Sequence, residues 1–439
     1  MRSYIKNIFM FGLGLLLTGS ALTSCEDQPD KYEMTDGVPT IHYIRMADVA
    51  VKDSLITGAY MQNTICIVGD NLRSIYKLFF NDQEATLNTS YMTDNTVIVD
   101  VPKNIPEVVT NKLYMVTKDQ DTVAYDFKVL VPAPVVNAIS NEFARANENV
   151  TITGDYFLDD PNVPLEIVLP GNQTLPRENI TSITKNAVSF NMPANVESGY
   201  ITVKGIYGNS RSKFYIYDKR NILFDWDGLS GGLASGLGWR DGSKVKHNDG
   251  DDAFPSLDGT PYICFSGDLA GDIGSSWAED GFSFNYWPNA GQNELTTVFP
   301  RFAEYLEEYG VSGLQIKFEV LVPDTNPWTT CGLQMIFSSN DDVTYETATN
   351  SFFSSTSVPR GLWIPWKETG SYSTGGKWTT VAVNLSDFNK THEGNPCDAA
   401  LDAKHFTGLT FFVWHGGIAG TDGSPVIAID NIRVVPIEK

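Results

Sequence analysis

The sequence is poor in basic residues. It has 31 Lys and Arg against 53 Asp and Glu, a formal net charge of -22 at pH 7. Nucleic acids and anionic membrane surfaces are bound through basic side chains that displace counterions. Residues 219–439 alone carry 14 basic and 28 acidic residues, a net of -14, so the second half hides no basic region. We therefore exclude nucleic acid as a partner and expect a neutral ligand rather than an acidic polysaccharide.

The motifs of hydrolytic catalysis are also missing. The five histidines, at positions 42, 247, 392, 405 and 415, show neither HExxH nor HxH spacing, which argues against a metal hydrolase. A jelly-roll glycosidase needs two closely placed carboxylates, but the ExDxxE pattern is absent and Glu319 is a lone strand carboxylate. We predict no enzyme activity, no catalytic residue and no metal in the binding site.

Cysteine is scarce and forms no CxxC pair. Cys66 and Cys264 lie in apolar, strand-like runs and are expected to be small buried residues. A disulfide between Cys331 and Cys397 is compatible with an oxidising compartment. The spacing leaves the disulfide and two free thiols both open.

The first residues have the pattern of an export signal. Arg2 and Lys6 precede an apolar segment, residues 8–17, that is too short to span a bilayer. The following Leu-Thr-Ser-Cys25 resembles a bacterial lipobox, which implies a signal peptide at 1–24 and a lipid on Cys25; an ordinary signal peptide is the alternative. The acidic linker 25–37 resembles the surface-export signal of Bacteroidetes lipoproteins, although it also fits a solvated linker. The expected location is the outer membrane surface, with membrane contact through the lipid anchor only.

Residues 38–131 and 132–218 repeat one plan of short strand-like runs. The matched pairs, about 85 to 91 residues apart, are TICIVGDNL (64–72) with VTITGDYF (150–157), TVIVDVP (96–102) with AVSFNMP (187–193), and YDFKVL (125–130) with KFYIYD (213–218). Such runs predict two tandem β-sandwiches. Both blocks resemble the IPT/TIG immunoglobulin-like family, whose modules usually serve as spacers. We expect Gly69 and Gly154 to sit at turns that need a positive φ.

Residues 219–439 differ sharply, because they contain all nine tryptophans, from Trp226 to Trp414. Many Gly-separated strand patterns predict a larger β-sandwich of the jelly-roll type. A helix is expected at Arg301–Tyr309, where apolar side chains recur at helical spacing. The predicted fold class is thus all-β, with two immunoglobulin-like sandwiches before a larger sandwich that binds the ligand.

Three tryptophans in the stretch 325–367 are the main candidates for ligand binding. Trp328, Trp363 and Trp366 lie among Pro, Gly, Thr and Asn without a hydrophobic period, so we expect exposed loop rings. Trp287, in the loop-like NYWPNAGQN, is a fourth candidate at the rim. A planar ring that covers the CH face of a sugar gains on the order of 1 kcal/mol. Two or three such rings would give specific but modest affinity for a polymer.

The closing run IAIDNIRVV resembles the last strand of many carbohydrate-binding jelly rolls. In those domains the Asp is often near a structural calcium, which prefers oxygen ligands. The resemblance implies a calcium near Asp430, with Asp225 or Asp227 as further ligands. The alternative is that Asp430 and Asn431 form a bulge or turn pair.

A lipobox, tandem IPT/TIG modules and a Trp-rich sandwich together resemble the B-type surface glycan-binding lipoproteins of Bacteroidetes polysaccharide-utilisation systems. The resemblance implies binding of a neutral polysaccharide or oligosaccharide, of β-glucan or xyloglucan type, and an outer-membrane glycan transporter complex as partner. Trp328 and Trp363 match the ligand-stacking positions in context, whereas Leu362 stands where a further aromatic would be expected. An adhesin for host glycoprotein and, more remotely, a jelly-roll glycoside hydrolase are the alternatives.

Overall fold

The computed structural model describes residues 32–51, 53–227, 255–273 and 277–438, together with the backbone of residues 245 and 246. The predicted signal peptide, Cys25, and Trp239 lie outside the described residues. The chain divides into two compact units, one ending at Val131 and the other beginning at Pro132. None of the described helices is long and apolar enough to cross a membrane.

The first unit is an all-β sandwich. One sheet has the order β1-β3-β6, the second has the order β5-β4-β7-β8, and β2 pairs with β9 in parallel. Alternating side chains of these strands point into the core, as in β7, where every second residue is buried. The strands are β1 Thr40–Met46, β2 Gly58–Tyr60, β3 Thr64–Asp70, β4 Ile75–Phe80, β5 Gln83–Ala85, β6 Thr96–Asp100, β7 Lys112–Thr117, β8 Thr122–Asp126 and β9 Lys128–Leu130.

The second unit begins with another sandwich of the same kind. Its sheets have the orders β10-β11-β15-β14 and β13-β12-β16-β17. The strand-like run at 213–218 was predicted wrongly, because only an isolated bridge between Ile216 and Gly199 forms there. The strands are β10 Val135–Ile139, β11 Asn149–Asp155, β12 Glu166–Leu169, β13 Gln173–Thr174, β14 Ile180–Ile183, β15 Ala187–Asn191, β16 Thr202–Gly205 and β17 Gly208–Arg211.

Gly69 and Gly154 occupy the same place in the two sandwiches, but not a turn. Each lies near the end of a strand, β3 or β11, with a φ that other residues can adopt. Each faces a register shift in the first strand of its sandwich, β1 or β10. A Cβ on Gly154 would overlap the carbonyl oxygen of Val135, and one on Gly69 would overlap that of Thr40. Close backbone approach, rather than a positive φ, therefore requires glycine here.

Gly154→Ala is expected to lower the free energy of unfolding by at least about 2 kcal/mol, because the new methyl group forces two strands apart. Gly205→Ala in the same sandwich is the matched control. Its Cβ would have only ordinary contacts, the nearest being 3.7 Å from the carbonyl oxygen of Leu158. Urea unfolding of both variants measures the difference; equal stability of the two variants would contradict this explanation of the glycine.

The remainder of the second unit is a larger sandwich of two sheets. One has the order β19-β20-β27-β22-β25, with β18 also paired to β27, and the other has the order β21-β26-β23-β24. The strands are β18 Ile222–Phe224, β19 Val245–Lys246, β20 Tyr262–Ser266, β21 Ser283–Tyr286, β22 Leu314–Leu321, β23 Gly332–Ser338, β24 Gly361–Trp363, β25 Thr379–Asn384, β26 Gly408–Trp414 and β27 Val426–Pro436. The predicted all-β fold class is confirmed.

In the described part of this sandwich the α-helices are α1 Glu279–Phe282, α2 Leu295–Val298 and α3 Pro300–Tyr309. The helix predicted at residues 301–309 is confirmed as α3. Phe302 and Tyr305 bury its apolar face against the main core, and Gly310, at φ 65°, ends it. The helix thus packs on the main core of the larger sandwich.

A buried ion network joins the immunoglobulin-like part of the second unit to the larger sandwich. Arg433 on β27 pairs with both oxygens of Glu319 on β22, at 2.8 and 3.0 Å, and with Glu142 at 2.7 Å. Glu142 also accepts a 2.5 Å bond from Lys317. All four residues are at most 4% exposed, and two positive charges balance two negative ones. Glu319, which the sequence shows as an isolated carboxylate within an apolar strand, is therefore half of a structural ion pair.

Candidate glycan-binding site

The sheet that contains β26 has two differently used faces. Leu409, Phe411 and Val413 of β26 point into the main core between the two sheets. The alternate residues, Phe412 and Trp414, belong to a second cluster on the outer face. The segment after β23 folds back over this face and contributes Val343, Phe352, Phe353 and Val358 to the cluster. A strand with an aromatic residue on both faces thus supports an apolar outer surface.

Trp277 lies on top of this outer cluster. Its ring makes edge-on contacts with Phe353, Phe412 and Trp414, at centroid separations of 5.5, 5.4 and 5.1 Å. These contacts fix the indole, yet the side chain remains 42% exposed. It is the only tryptophan of the described residues among the exposed large hydrophobic side chains. A ring that is fixed by its neighbours and exposed to solvent can stack on a ligand without first being ordered.

Two neighbouring clefts share the Trp277 ring, and we call them together the Trp277 groove. The first, of about 720 Å³, extends from the ring along α1. The second, of about 610 Å³, extends from the ring to residues 268–270 and 422–424. The first is lined by Ser266, Gly267, Trp277, Ala278, Glu279, Asp280, Gly281, Phe282 and Asn350. The second is lined by Asp268, Leu269, Ala270, Trp277, Ala278, Asp422, Gly423 and Ser424.

Hydrogen bonds fix the floor of the second cleft. The backbone of Leu269 pairs with that of Gly423. Ser424 Oγ donates to Asp268 Oδ1 at 2.6 Å, and Asp422 Oδ1 accepts from the Gly271 N–H at 2.6 Å. These hydrogen bonds hold the groove in one conformation, with hydroxyl, amide and carboxylate groups around one aromatic ring.

The charge of the groove selects among ligands. Its described lining contains four carboxylate residues and no Lys or Arg. An anionic ligand such as a uronate chain would meet repulsion with no compensating cation. A neutral sugar chain would instead find an apolar ring for its CH faces and oxygen acceptors for its hydroxyl groups.

Three of the four predicted ligand residues are buried, which corrects the expectation that they are exposed. Trp328 and Trp287 are fully buried, and Trp366 is 4% exposed. Their indole N–H groups donate to Thr330 O at 2.6 Å, Thr410 Oγ1 at 2.8 Å and Cys331 O at 2.6 Å, respectively. A loop tryptophan whose N–H finds a nearby oxygen acceptor can be buried without an unsatisfied donor. The missing hydrophobic period was therefore a poor indicator of exposure.

Trp363 is partly exposed, so its predicted role stays a prediction. Its ring packs edge-on against Trp328, Phe318 and Tyr372 at 5.5 to 5.9 Å. It lies opposite Leu333 on β23, on the core side of the sheet. Trp277 contacts the other side of that sheet, so the two rings do not form one platform.

The remaining predictions concern cysteines and calcium. Cys66 and Cys264 are buried as expected, and no disulfide joins Cys331 to Cys397. Calcium near Asp430 stays a prediction. Among the described residues the only three His, Cys, Asp or Glu whose ligand atoms lie within 4.8 Å of one another are elsewhere, at positions 392, 393 and 415.

Asp430 is a buried carboxyl group with one unused oxygen. It is 1% exposed; Oδ1 accepts from the Asn431 N–H at 2.8 Å, and Oδ2 has no hydrogen-bond partner among the described residues. Burial is the main cause that raises the pKa of Asp430 well above its usual range, and the carboxylates of Asp258, Glu319 and Asp227 act in the same direction. The native state thus holds the proton of Asp430 more tightly than the unfolded chain.

Asp430→Asn is expected to raise the melting temperature relative to the wild type at pH 8, and the gain should shrink as the pH falls. A raised carboxyl pKa gives a contribution to stability that is complete below the unfolded pKa and is lost as the pH rises through the folded pKa. Thermal melts from pH 5 to 8, with and without added calcium, measure this. A lower melting temperature of the variant, seen only with calcium, would contradict the protonated carboxyl and favour the calcium ligand.

An exposed, supported tryptophan on the face of a β-sandwich, in a groove whose described lining has no Lys or Arg, is an arrangement that fits a carbohydrate-binding domain. The family described as "Surface glycan-binding protein B xyloglucan binding domain" matches residues 216–436. The chain belongs to this family of non-catalytic surface glycan-binding proteins.

Two relatives have similarity beyond the family match. The crystal structure of a surface glycan-binding protein B from Prevotella bryantii is 39% identical, covers 92% of this chain and 100% of its own, and superposes with a TM-score of 0.79. An IPT/TIG domain-containing protein from Bacteroides ovatus is 29% identical over 231 residues, which are 49% of this chain and 46% of that protein. The chain thus spans about half the length of that curated relative.

Trp277 received no role from the sequence. It lies in a Gly- and Asp-rich region together with Trp239 and Trp287, and nothing in its neighbours distinguishes it from them. Its support comes from Phe353, Phe412 and Trp414, which lie 76 to 137 residues further along the chain. The one available signal was the run of small and polar residues GSSWAED, in which Ala278 is the only other apolar residue.

Proposed function

We propose that this protein binds a neutral plant polysaccharide, of β-glucan or xyloglucan type, in the Trp277 groove and does not cleave it. The observation that carries the proposal is the exposed indole of Trp277, which aromatic side chains fix from below and which two clefts share; the residues described in their lining include no Lys or Arg. The family description, which names xyloglucan, supports the ligand class. A groove open at its surface fits an internal part of a long chain.

The proposal extends to location and partners. A lipid on Cys25 would hold the chain at the outer membrane surface, and a neighbouring outer-membrane glycan transporter complex would receive the captured glycan. The sequence pattern around Cys25 and the surface-binding family support this arrangement. An anchored protein gains avidity when several copies hold one polymer, so modest affinity at each groove is sufficient.

Affinity electrophoresis and calorimetry on a panel of polysaccharides test the proposal. We expect retardation by xyloglucan or another neutral β-glucan, none by polygalacturonate of similar length, and no release of reducing ends during incubation. Binding to the polyuronate alone would contradict the electrostatic argument. Binding to host glycoproteins without any plant glycan would favour the adhesin alternative.

A further inference from the structure

A cluster of two histidines and one glutamate lies beside Trp414, whose ring contacts both histidine rings. The rings of His392 and His415 are 5.2 Å apart between centroids, and Glu393 Oε1 lies 3.8 Å from His392 Nε2. One potential ligand atom from each of the three residues lies within 4.8 Å of the others. We propose that His392, Glu393 and His415 bind one divalent transition-metal ion of the zinc class.

The donor set and distances fit such an ion. Two imidazoles and a carboxylate are ligands that Zn²⁺ takes at about 2.0–2.2 Å, with water completing the tetrahedron. At these bond lengths, two ligand atoms at the tetrahedral angle are about 3.4 Å apart. The 3.8 Å between His392 Nε2 and Glu393 Oε1 is too long for a hydrogen bond, and it exceeds the tetrahedral separation by only about 0.4 Å. The Glu393 side chain is 51% exposed, so its rotation can close the remaining distance to His415.

Close backbone contacts hold together the two loops that carry the site, residues 392–394 and residues 415–417. A Cβ on Gly417 would overlap the carbonyl oxygen of Glu393, and one on Gly394 would lie 3.1 Å from the carbonyl oxygen of Gly416. Gly394 and Gly417 have φ near 75°, and His415 itself has a positive φ of 41°. Backbone conformations of this kind are retained where the surroundings determine them. The site is thus pre-formed by glycines that allow close approach.

The orientation of the His392 ring also favours an ion. The ring lies parallel to the Trp414 indole, with an angle of 3° and a separation of 5.3 Å between centroids. Its Nδ1 has no hydrogen-bond partner among the described residues. Packing against Trp414 therefore orients a histidine whose ring nitrogens are not both used by protein hydrogen bonds.

Two features limit the affinity. His415 Nδ1 accepts a 3.1 Å hydrogen bond from the Gly417 N–H. The neutral ring has one lone-pair nitrogen, so His415 loses this hydrogen bond when it binds the ion. The buried guanidinium of Arg360 is close enough to His392 to repel a cation. With only three protein ligands and these opposing terms, we expect affinity weaker than that of closed four-ligand zinc sites.

Zinc chloride titration of the full chain without a histidine tag, followed by calorimetry and thermal melting, tests the site. We expect saturable binding of one ion and a rise in melting temperature. Glu393→Gln and His415→Ala should each weaken binding at least about tenfold. His42→Ala, which changes an exposed histidine of the first unit, should leave it unchanged.

Glu393→Gln keeps the test valid if His415→Ala does not fold, because Glu393 is exposed and contributes little to packing. Wild-type protein without saturable zinc binding would overturn the proposal. Unchanged affinity in Glu393→Gln together with unchanged affinity in any folded His415 variant would also overturn it. A cobalt titration adds a second readout, since tetrahedral Co²⁺ with nitrogen and oxygen ligands has intense visible absorption that a surface-bound ion lacks.

Discussion

Arg433→Met is expected to destabilise the second unit by about 3–5 kcal/mol, the usual cost of removing one partner from a buried ion pair. The change leaves Glu319 without its bidentate partner and takes one of two cations from Glu142. Both carboxylates stay buried, because neighbouring side chains from two sandwiches enclose them. Urea unfolding followed by tryptophan fluorescence reports directly on this unit, which contains all nine tryptophans.

The loss of stability in Arg433→Met should depend on pH, because it leaves a buried carboxylate that can take up a proton. Burial already raises the pKa of Glu319, and the Arg433 charge opposes that shift. Without Arg433 the pKa should rise further, so the variant can protonate Glu319 as the pH falls. The stability difference from the wild type should therefore be largest near pH 8 and smaller near pH 5.

Arg177→Met is the matched control for Arg433→Met. Arg177 also makes a two-point contact with an aspartate, Asp159, but its side chain is 55% exposed. Surface pairs of this kind contribute about 0–1 kcal/mol. If Arg177→Met and Arg433→Met cost the same, the buried network would not hold the two sandwiches of this unit together.

Trp277→Ala is expected to weaken binding of a neutral β-glucan by at least about 30-fold, or about 2 kcal/mol. The ring is the exposed apolar surface shared by both clefts, so its removal takes the stacking contact from the whole groove. Trp277→Phe should lie between the wild type and the alanine variant, because it keeps a smaller planar ring. Calorimetry with one oligosaccharide measures all three proteins.

Tyr345→Ala and Trp363→Ala are the controls for Trp277→Ala. Tyr345 is an aromatic residue of the same sandwich with 49% exposure, but it lines neither cleft, so binding should change less than about twofold. Trp363→Ala tests the tryptophan prediction made from the sequence. Loss of binding in Trp363→Ala with full binding in Trp277→Ala would contradict the Trp277 groove and show that the ligand binds on the other face of the sheet.

The fold was largely predictable because its signals are local. Strand patterns such as LQIKFEVLVP and the helical spacing at residues 301–309 act through neighbours in the chain, and the structure confirms them. The sequence indicated that position 154 requires glycine, but the expected cause, a turn with positive φ, was wrong. The actual cause is the approach of Val135 from another strand, which no local pattern contains.

The candidate site was predictable only in part because exposure is a property of tertiary packing. Trp328 and Trp277 both lie in polar, Gly- or Asn-rich surroundings in the sequence. Residues around Tyr372 fold over Trp328 and bury it, whereas nothing among the described residues covers Trp277 to that extent. His392 and His415 show the same limit, since 23 positions in the sequence separate two side chains that meet in space.

Hydrogen exchange with and without a neutral β-glucan oligosaccharide tests the central claim most directly, because it locates the ligand without any mutation. The Trp277 groove predicts slower exchange in peptides that contain residues 266–282 and 420–424, and no change in peptides from 361–372. Slower exchange confined to 361–372, with the groove peptides unchanged, would contradict the Trp277 groove and support the stretch that carries Trp363.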